Sequence, residues 1–574
     1  MPNEWQAKTI SHVMDSISVR KSETFLLYGV TGSGKTAVYL ELAEQCISLG
    51  RSVLLLAPEV GIAVKLRRDA REYGLPVLLY HGYQSPRQKE ICFRTCAALT
   101  EPKLIIGTRS ALFLPLRGIG LIILDEEHDD SFKQDERLPY HAKELAWFRA
   151  RSFAAPLVLG SATPDIKTFH AASEGRYPLL RLPSRAGGGE MPEIRFIDTR
   201  HARGTLSPEA VLALKDNTAQ GNQSIIMLNR RGYSPLMFCL DCGKAYKCPN
   251  CDISLTYHKS RGQLVCHYCG HASPFPAPCP TCKGSHYLPM GEGTEKLEES
   301  LRTLTDAKIL RLDRDTSRRE GRLEEILNAF AHREADILVG TQMLSKGHHF
   351  PDVTLVLIAD ADVGLNMPDY RAAERTFQLL TQAAGRAGRG KKKGIVLVQT
   401  RDPGHYCWDF IRSGDYEGFY RHEIALRQKN LYPPFIKMAL VRSSWEKDDA
   451  EAENAWRRFA AEMKNAAGRC AAERPAAPAV IGMHQKPTAD FLAAFANRRE
   501  ALSQGGHGLP RILGPSPAPH SFINGRHRAQ IVIKAADWNS VRSLYAAALN
   551  RTSAKGRLPG SLRISLDLDP VNML

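Results

Sequence analysis

At 574 residues the chain is too long for one hydrophobic core and, at roughly 150 residues per domain, is sized for about four units. Its 43% hydrophobic and 24% charged content excludes a largely disordered chain, and its longest apolar stretches, such as Leu355–Ala359, have the length of strands rather than of membrane-spanning helices. The net charge of +16, from 77 basic against 61 acidic residues, favours an anionic partner, most commonly nucleic acid.

The opening MPNEWQAKTI has no apolar signal core, so a soluble, cytoplasmic chain with no membrane partner is expected. From residue 24 to 180, short runs of Leu, Ile and Val alternate with longer mixed segments: TFLLYGV, SVLLLAPEV, LPVLLYHG, KLIIGT, IGLIILDEE and PLVLGSATP. Such runs suit strands buried on both faces of a parallel sheet. The rhythm resumes in GNQSIIMLNRRGYSP and again over 305–400, with AKILRLDRD, ADILVGTQ, VTLVLIADAD and GIVLVQT. Two α/β lobes are therefore expected, joined by the Gly-rich SRAGGGEMP, with a cysteine-rich segment inserted into the second lobe after its first strand. After about residue 405 an Ala-rich helical segment, a Pro/Gly-rich linker and the apolar runs QIVIKA and LRISLDLD suggest a small α+β domain.

GVTGSGKT (Gly29–Thr36) fits GxxxxGK[ST] with an apolar strand before it and a helix-like segment after it, the context the motif requires. Backbone N–H groups of Gly29, Thr31, Gly32, Ser33 and Gly34 would cradle phosphates, Lys35 would reach the β- and γ-phosphates of ATP, and Thr36 would ligate Mg²⁺. About ninety residues on, LIILDEEH delivers carboxylates at a strand end, with Asp125 placed for the Mg²⁺ shell and Glu126 for the attacking water. In QAAGRAGR, Arg386 and Arg389 fall on one helical turn and read as arginine fingers for the γ-phosphate.

Eight cysteines form four CxxC pairs: Cys239/Cys242, Cys248/Cys251, Cys266/Cys269 and Cys279/Cys282. In a reducing compartment, with Gly/Pro turns around each pair, they point to two tetrahedral Cys₄ zinc sites. Spacing alone permits adjacent or nested pairing. His267 and His271 are surplus to four thiolates, and Cys46, Cys92, Cys96, Cys407 and Cys470 read as ordinary thiols.

In order, GVTGSGKT, LLLAPEVGI, IIGTRSALF, DEEH, LGSATP, VGTQMLSKGHHFPDV and QAAGRAGR resemble superfamily 2 helicases. DEEH, the four CxxC pairs after LNRRGYSP, and GTQMLSKGHHFPDVTLV narrow the resemblance to the PriA family of bacterial primosomal replication-restart helicases. That resemblance implies two RecA-like lobes, ATP-driven 3′→5′ DNA unwinding, and binding to stalled forks and D-loops. It also implies partnership with primosome proteins and single-strand-binding protein by an expected monomer. It implies the nested zinc pairing, Cys239/Cys242 with Cys279/Cys282 and Cys248/Cys251 with Cys266/Cys269; an insertion that leaves and re-enters its lobe at neighbouring points agrees. Asn3 and Gln6 match an adenine-reading motif, Ser161 and Thr163 a coupling segment, and Thr108, Arg109, Thr341, Gln342 and Lys346 strand-contacting or nucleotide-coupling positions. Phe132, Tyr140, Trp147 and Phe148 match an aromatic-rich DNA-sensing loop, although Trp147 and Phe148 fit a helix core equally well.

The expected layout is a first lobe at 1–184, a linker and second-lobe start at 185–235, the zinc insertion at 236–290, the rest of the second lobe at 291–405, and a C-terminal domain at 406–574. The family's two N-terminal domains do not fit ahead of residue 6. A chain lacking them is expected, and the alternative to a helicase is a catalytically weak, zinc-containing fork-binding scaffold.

Overall fold

The computed structural model describes all residues except 1, 136–137, 186–191, 201, 203, 229–235, 259–260, 276–277, 291–296, 298–300, 313–321, 342–349, 388–393, 473–509, 572 and 574, and omits in addition the side chains of 288–290, 323–324 and 470–472. Two all-parallel sheets organise the first 400 residues. The first has seven strands in the order Val77–Tyr80, Leu104–Gly107, Ser52–Leu56, Ile119–Asp125, Leu157–Ser161, Thr24–Gly29 and Leu179–Leu182. The second has six, in the order Glu193–Asp198, Ile395–Thr400, Val353–Asp360, Gln223–Leu228, Ile337–Gly340 and Ile309–Leu312. Every residue of SVLLL and IGLIILD is buried, which explains why these strands read as continuous apolar runs rather than alternating ones.

The two lobes are RecA-like, and each apolar run singled out in the sequence is a strand. Two strands had no such signal: Leu179–Leu182 and Glu193–Asp198 lie at sheet edges and expose charged side chains, so they lack a continuous apolar run. Because Glu193–Asp198 opens the second lobe, the cysteine insertion follows that lobe's second strand, Gln223–Leu228, not its first. Helices Cys407–Ser413 and Tyr416–Lys429, placed by sequence with the C-terminal domain, bury Trp408, Ile411, Tyr416 and Phe419 in a core cluster shared by both lobes.

Lys437–Glu446 begins a four-stranded antiparallel sheet, ordered Arg511–Ile523, Arg526–Ala535, Lys437–Glu446, Arg563–Leu568. Helices Ala450–Ala472 and Trp538–Ala554 cover one face, with Trp456, Phe459, Val541 and Leu544 packed on Val441, Ile531 and Ile533. This is the expected small α+β unit.

Charge locks the parts together. Arg427 and Glu374, 2% and 1% exposed at their side chains, pair at 2.7 Å, and Glu374 also accepts the Ile166 N–H of the first lobe at 2.9 Å. Arg371 reaches Asp130 at 3.3 Å and Asp165 at 3.7 Å. Removing one member of a buried pair leaves the other charge uncompensated. Arg427→Met is therefore expected to lower stability by about 3–5 kcal/mol in chemical denaturation, whereas Arg412→Ala, whose pair with Asp409 is exposed, should change it by less than about 1 kcal/mol.

Candidate nucleotide site and zinc centres

Thr24–Gly29 leads directly into the loop, and the following helix, Lys35–Ser48, starts at Lys35. Gly32 and Gly34 take left-handed φ values of 82° and 83°, a conformation open to glycine at no steric cost. A Cβ on Gly29 would lie 2.5 Å from Ser33 Oγ, so the loop closes this tightly only around glycine. Lys35 Nζ donates to Gly29 O at 2.9 Å, folded over the cradle it would share with a phosphate. Ser33 Oγ is buried without a hydrogen-bond partner among the described residues, an orphan that a phosphate oxygen would satisfy.

Gln6 reaches this loop from the first helix, Glu4–Ser18. Its Oε1 accepts the Asn3 N–H at 2.9 Å in a capping box, and its Nε2 donates to Ser33 O at 3.1 Å. The glutamine matched to adenine reading is thus tied to the P-loop backbone itself.

Asp125 ends its strand beside the loop. Burial and the neighbouring Glu126 push its carboxyl up to about 7, against the pull of Lys35. Buried Asp125 beside the partly exposed Glu126, close to Lys35 of the loop, is a donor set that fits a divalent cation. Tyr39 Oη donates to Asp125 Oδ1 at 3.0 Å, and burial keeps that phenol protonated by lifting it well above its usual range. Glu126 has a left-handed φ of 49°, a strain of roughly 1–3 kcal/mol for a side chain of its type, and its Oε2 lies 3.5 Å from Gln382 Nε2.

From there a relay crosses the lobes. Gln382 Nε2 donates to His128 Nε2 at 3.0 Å; an amide nitrogen cannot accept, so the His128 proton sits on Nδ1 and is donated to Ser161 Oγ at 2.7 Å. Ser161 Oγ in turn accepts the Thr163 N–H at 3.0 Å, and Gln378 Nε2 donates to Thr163 O at 3.3 Å. Glu127, fully buried, holds Lys143 at 2.7 Å and accepts the Asp165 N–H at 2.7 Å. DEEH, SATP and QAAGR are therefore one hydrogen-bonded unit.

Gly385, which precedes Arg386, stands against the P-loop: a Cβ there would lie 2.4 Å from Thr31 Cγ2, so the second lobe touches the loop through glycine. Arg389, Gln342 and Lys346 lie outside the described residues, while Thr341 follows the strand Ile337–Gly340. Thr108 precedes Arg109, whose guanidinium donates to Ser131 O at 2.6 Å and Lys133 O at 2.7 Å, holding the aromatic-rich segment after DEEH. In that segment Phe132 is buried and Tyr140 meets Phe113 edge-on at 5.1 Å. Trp147 and Phe148, 42% and 63% exposed, are surface residues, which removes their core reading.

The eight cysteines gather as Cys239, Cys242, Cys279, Cys282 and as Cys248, Cys251, Cys266, Cys269, with the ligand atoms of each set within 4.8 Å of one another. Pairing is nested. Sulfur separations of 3.5 Å for Cys239–Cys282 and 3.7 Å for both Cys242–Cys279 and Cys248–Cys269 approach the ~3.8 Å edge of a ZnS₄ tetrahedron with bonds of about 2.3 Å. In every pair the residue after the second cysteine is left-handed: Gly243, Asp252, Gly270 and Lys283. His271 N–H and Gly284 N–H donate to Cys269 Sγ and Cys282 Sγ, both at 3.4 Å, supporting thiolate charge. His267 is no ligand; its Nδ1 lies 2.9 Å from Pro517 O, and burial lowers its pKa to about 4.

The sequence matches the family descriptions "Type III restriction enzyme, res subunit" over residues 1–166 and "Helicase conserved C-terminal domain" over 283–391. It also matches "PriA DNA helicase Cys-rich region (CRR) domain" over 248–274 and "Primosomal protein N C-terminal domain" over 472–571. Replication restart protein PriA of Treponema pallidum (strain Nichols) is 34% identical over 99% of this chain and 80% of the relative. The chain belongs to the PriA family. PriA of Bacillus subtilis (strain 168) is 38% identical over 99% of the chain, and that of Synechocystis 37% identical over 96%. The chain spans 66% and 62% of the lengths of these two relatives.

Three parts of the PriA-family site carried no signal in the sequence: Tyr39, the His128–Gln382 relay, and a seam at the chain's end. There Lys133 Nζ pairs with Asp567 at 2.8 Å, Lys167 with Asp569 at 2.7 Å, and Arg375 donates to Val571 O. Against burial, Lys167 holds the Asp569 carboxyl down to about 2. The C-terminal strand and the residues after it thereby touch both lobes.

Proposed function

We propose that this chain is the motor, zinc and C-terminal part of an ATP-dependent 3′→5′ DNA helicase of replication restart. It would bind stalled forks and D-loops, unwind DNA and begin primosome assembly so that the replicative helicase is reloaded. The observation that carries the reading is the split site: Thr31 of the P-loop and Gly385 of QAAGR in direct contact, with Glu126 and Gln382 facing each other across the same cleft.

In that site Lys35 neutralises phosphate charge, Glu126 orients the attacking water, and Arg386 with Arg389 stabilises charge on the γ-phosphate. Thr36 and Asp125 would hold Mg²⁺, which when bound would neutralise phosphate charge. Closure of the lobes reaches SATP through Gln382, His128 and Ser161, so occupancy of the site is read in the segment that follows Thr163. Backbone phosphate is the natural grip for such a motor, because it must pass over any sequence. Two zinc ions per chain, Cys₄ each, and partnership of a monomer with primosome and single-strand-binding proteins complete the proposal.

The test is ATP hydrolysis with single-stranded DNA, forks and RNA, together with unwinding of forks that carry or lack a leading-strand 3′ end. DNA-stimulated hydrolysis with strand separation is expected. Fork binding without strand separation would make the chain a scaffold, and equal stimulation by RNA would make it a different translocase.

A further inference from the structure

The helix Lys35–Ser48 does more than start at the P-loop. Thr36 and Tyr39 are three residues apart and share one face, so a single rigid turn carries both a hydroxyl for the nucleotide's cation and a hydroxyl on the carboxylate of Asp125. The second contact is built to be permanent. Tyr39 is completely buried, and its ring lies over Gly160 so closely that a Cβ there would fall 1.8 Å from Oη. Gly160 is the register partner of Asp125 in the adjacent strand, so the small residue and the carboxylate stand side by side beneath the hydroxyl. Nothing in P-loop chemistry requires a tyrosine at this position.

We propose that Tyr39 is a positioning residue that sets cation specificity: by holding Asp125 Oδ1, it limits that carboxylate to one-oxygen ligation and so favours Mg²⁺ over Ca²⁺ in the nucleotide complex. Mg²⁺ demands near-ideal octahedral geometry from single oxygens at short distance, whereas Ca²⁺ accepts bidentate carboxylates and higher coordination. A carboxylate free to rotate offers both oxygens; one clamped through Oδ1 does not. A neutral-to-charged hydrogen bond of this kind also fixes the carboxylate's orientation. The inference rests on the proposed ATP site and refines its metal.

The experiment is binding of a fluorescent, non-hydrolysable ATP analogue by the full chain, titrated separately with Mg²⁺ and with Ca²⁺, in wild type and in Tyr39→Phe. Phenylalanine keeps the buried ring, and thermal unfolding without nucleotide monitors the fold. The Mg²⁺ needed for half-maximal binding should rise about tenfold in Tyr39→Phe while the Ca²⁺ requirement stays level or falls. Gly160→Ala, which expels the hydroxyl while retaining both partners, should lower the Mg²⁺ preference in the same direction and add little when combined with Tyr39→Phe. Parallel shifts for both ions, or no shift, would overturn the role of Tyr39. Failure of the wild-type chain to bind the analogue with either ion would instead overturn the ATP site.

Discussion

Lys35→Ala and Glu126→Gln should each reduce DNA-stimulated ATP hydrolysis by at least about a hundredfold, but for different reasons. Lys35 is the cation over the phosphate cradle, its Nζ already turned onto Gly29 O. In the proposed site its loss would remove charge from both the bound nucleotide and the transition state, so analogue binding should weaken as well. Glu126→Gln keeps the volume, the left-handed backbone and a polar contact with Gln382, and removes only the charge and basicity facing the water. Binding should therefore survive while turnover is lost. Steady-state hydrolysis measured beside equilibrium binding separates the two; equal loss of binding in both variants would place Glu126 in nucleotide affinity rather than chemistry. Gln382→Ala should lie between wild type and these extremes, because it breaks the link to His128 without touching a phosphate ligand.

Much of this architecture was legible because its signals are local. A strand buried on both faces spells itself as SVLLL or IGLIILD, a phosphate loop needs its glycines, and CxxC turns repeat one backbone conformation four times. What escaped depends on distant partners. Asp567 and Asp569 look like solvated charges in LRISLDLDP until Lys133 and Lys167 are placed against them. Tyr39 reads as an ordinary helix-core aromatic, since neither Asp125 nor Gly160 is near it in sequence. Helix Tyr416–Lys429 carries Arg427 and Glu423 on its buried side, so hydrophobic periodicity alone assigns it poorly; the pairing of Arg427 with Glu374 of the second lobe explains the buried charge. Trp147 and Phe148 fail in the opposite direction, being large aromatics within the helix Ala142–Ser152 and yet exposed.

The two zinc centres should differ sharply when disrupted. The Cys248/Cys251/Cys266/Cys269 centre is part of a core cluster with Tyr432, Leu440, Val532 and Met573. Tyr432 Oη donates to Cys251 O at 2.7 Å, and Ser516 Oγ and Gln530 Nε2 donate to His267 O at 2.6 and 2.8 Å. Tyr268, beside its ligands, meets Asp369 and the Tyr370 N–H at 3.5 and 3.4 Å, immediately before helix Ala372–Ala384, which delivers Gln378 and Gln382 to the proposed ATP site. The other centre is held at Gly243 against Arg401 O but leaves Cys282 exposed. Structural zinc contributes on the order of 10 kcal/mol to small folded modules, so loss of a ligand matters most where other structure leans on the module. Cys251→Ser is expected to lose one zinc, lower the thermal midpoint by about 10 °C and depress hydrolysis and unwinding together. Cys282→Ser should also lose one zinc but shift the midpoint by only about 2–4 °C, sparing hydrolysis more than unwinding. Metal analysis, thermal unfolding and paired activity assays on the two variants decide it. Equal effects would mean that the outer centre supports the second lobe as directly as the inner one, leaving the contacts to Asp369 and Tyr370 without a special part in the motor.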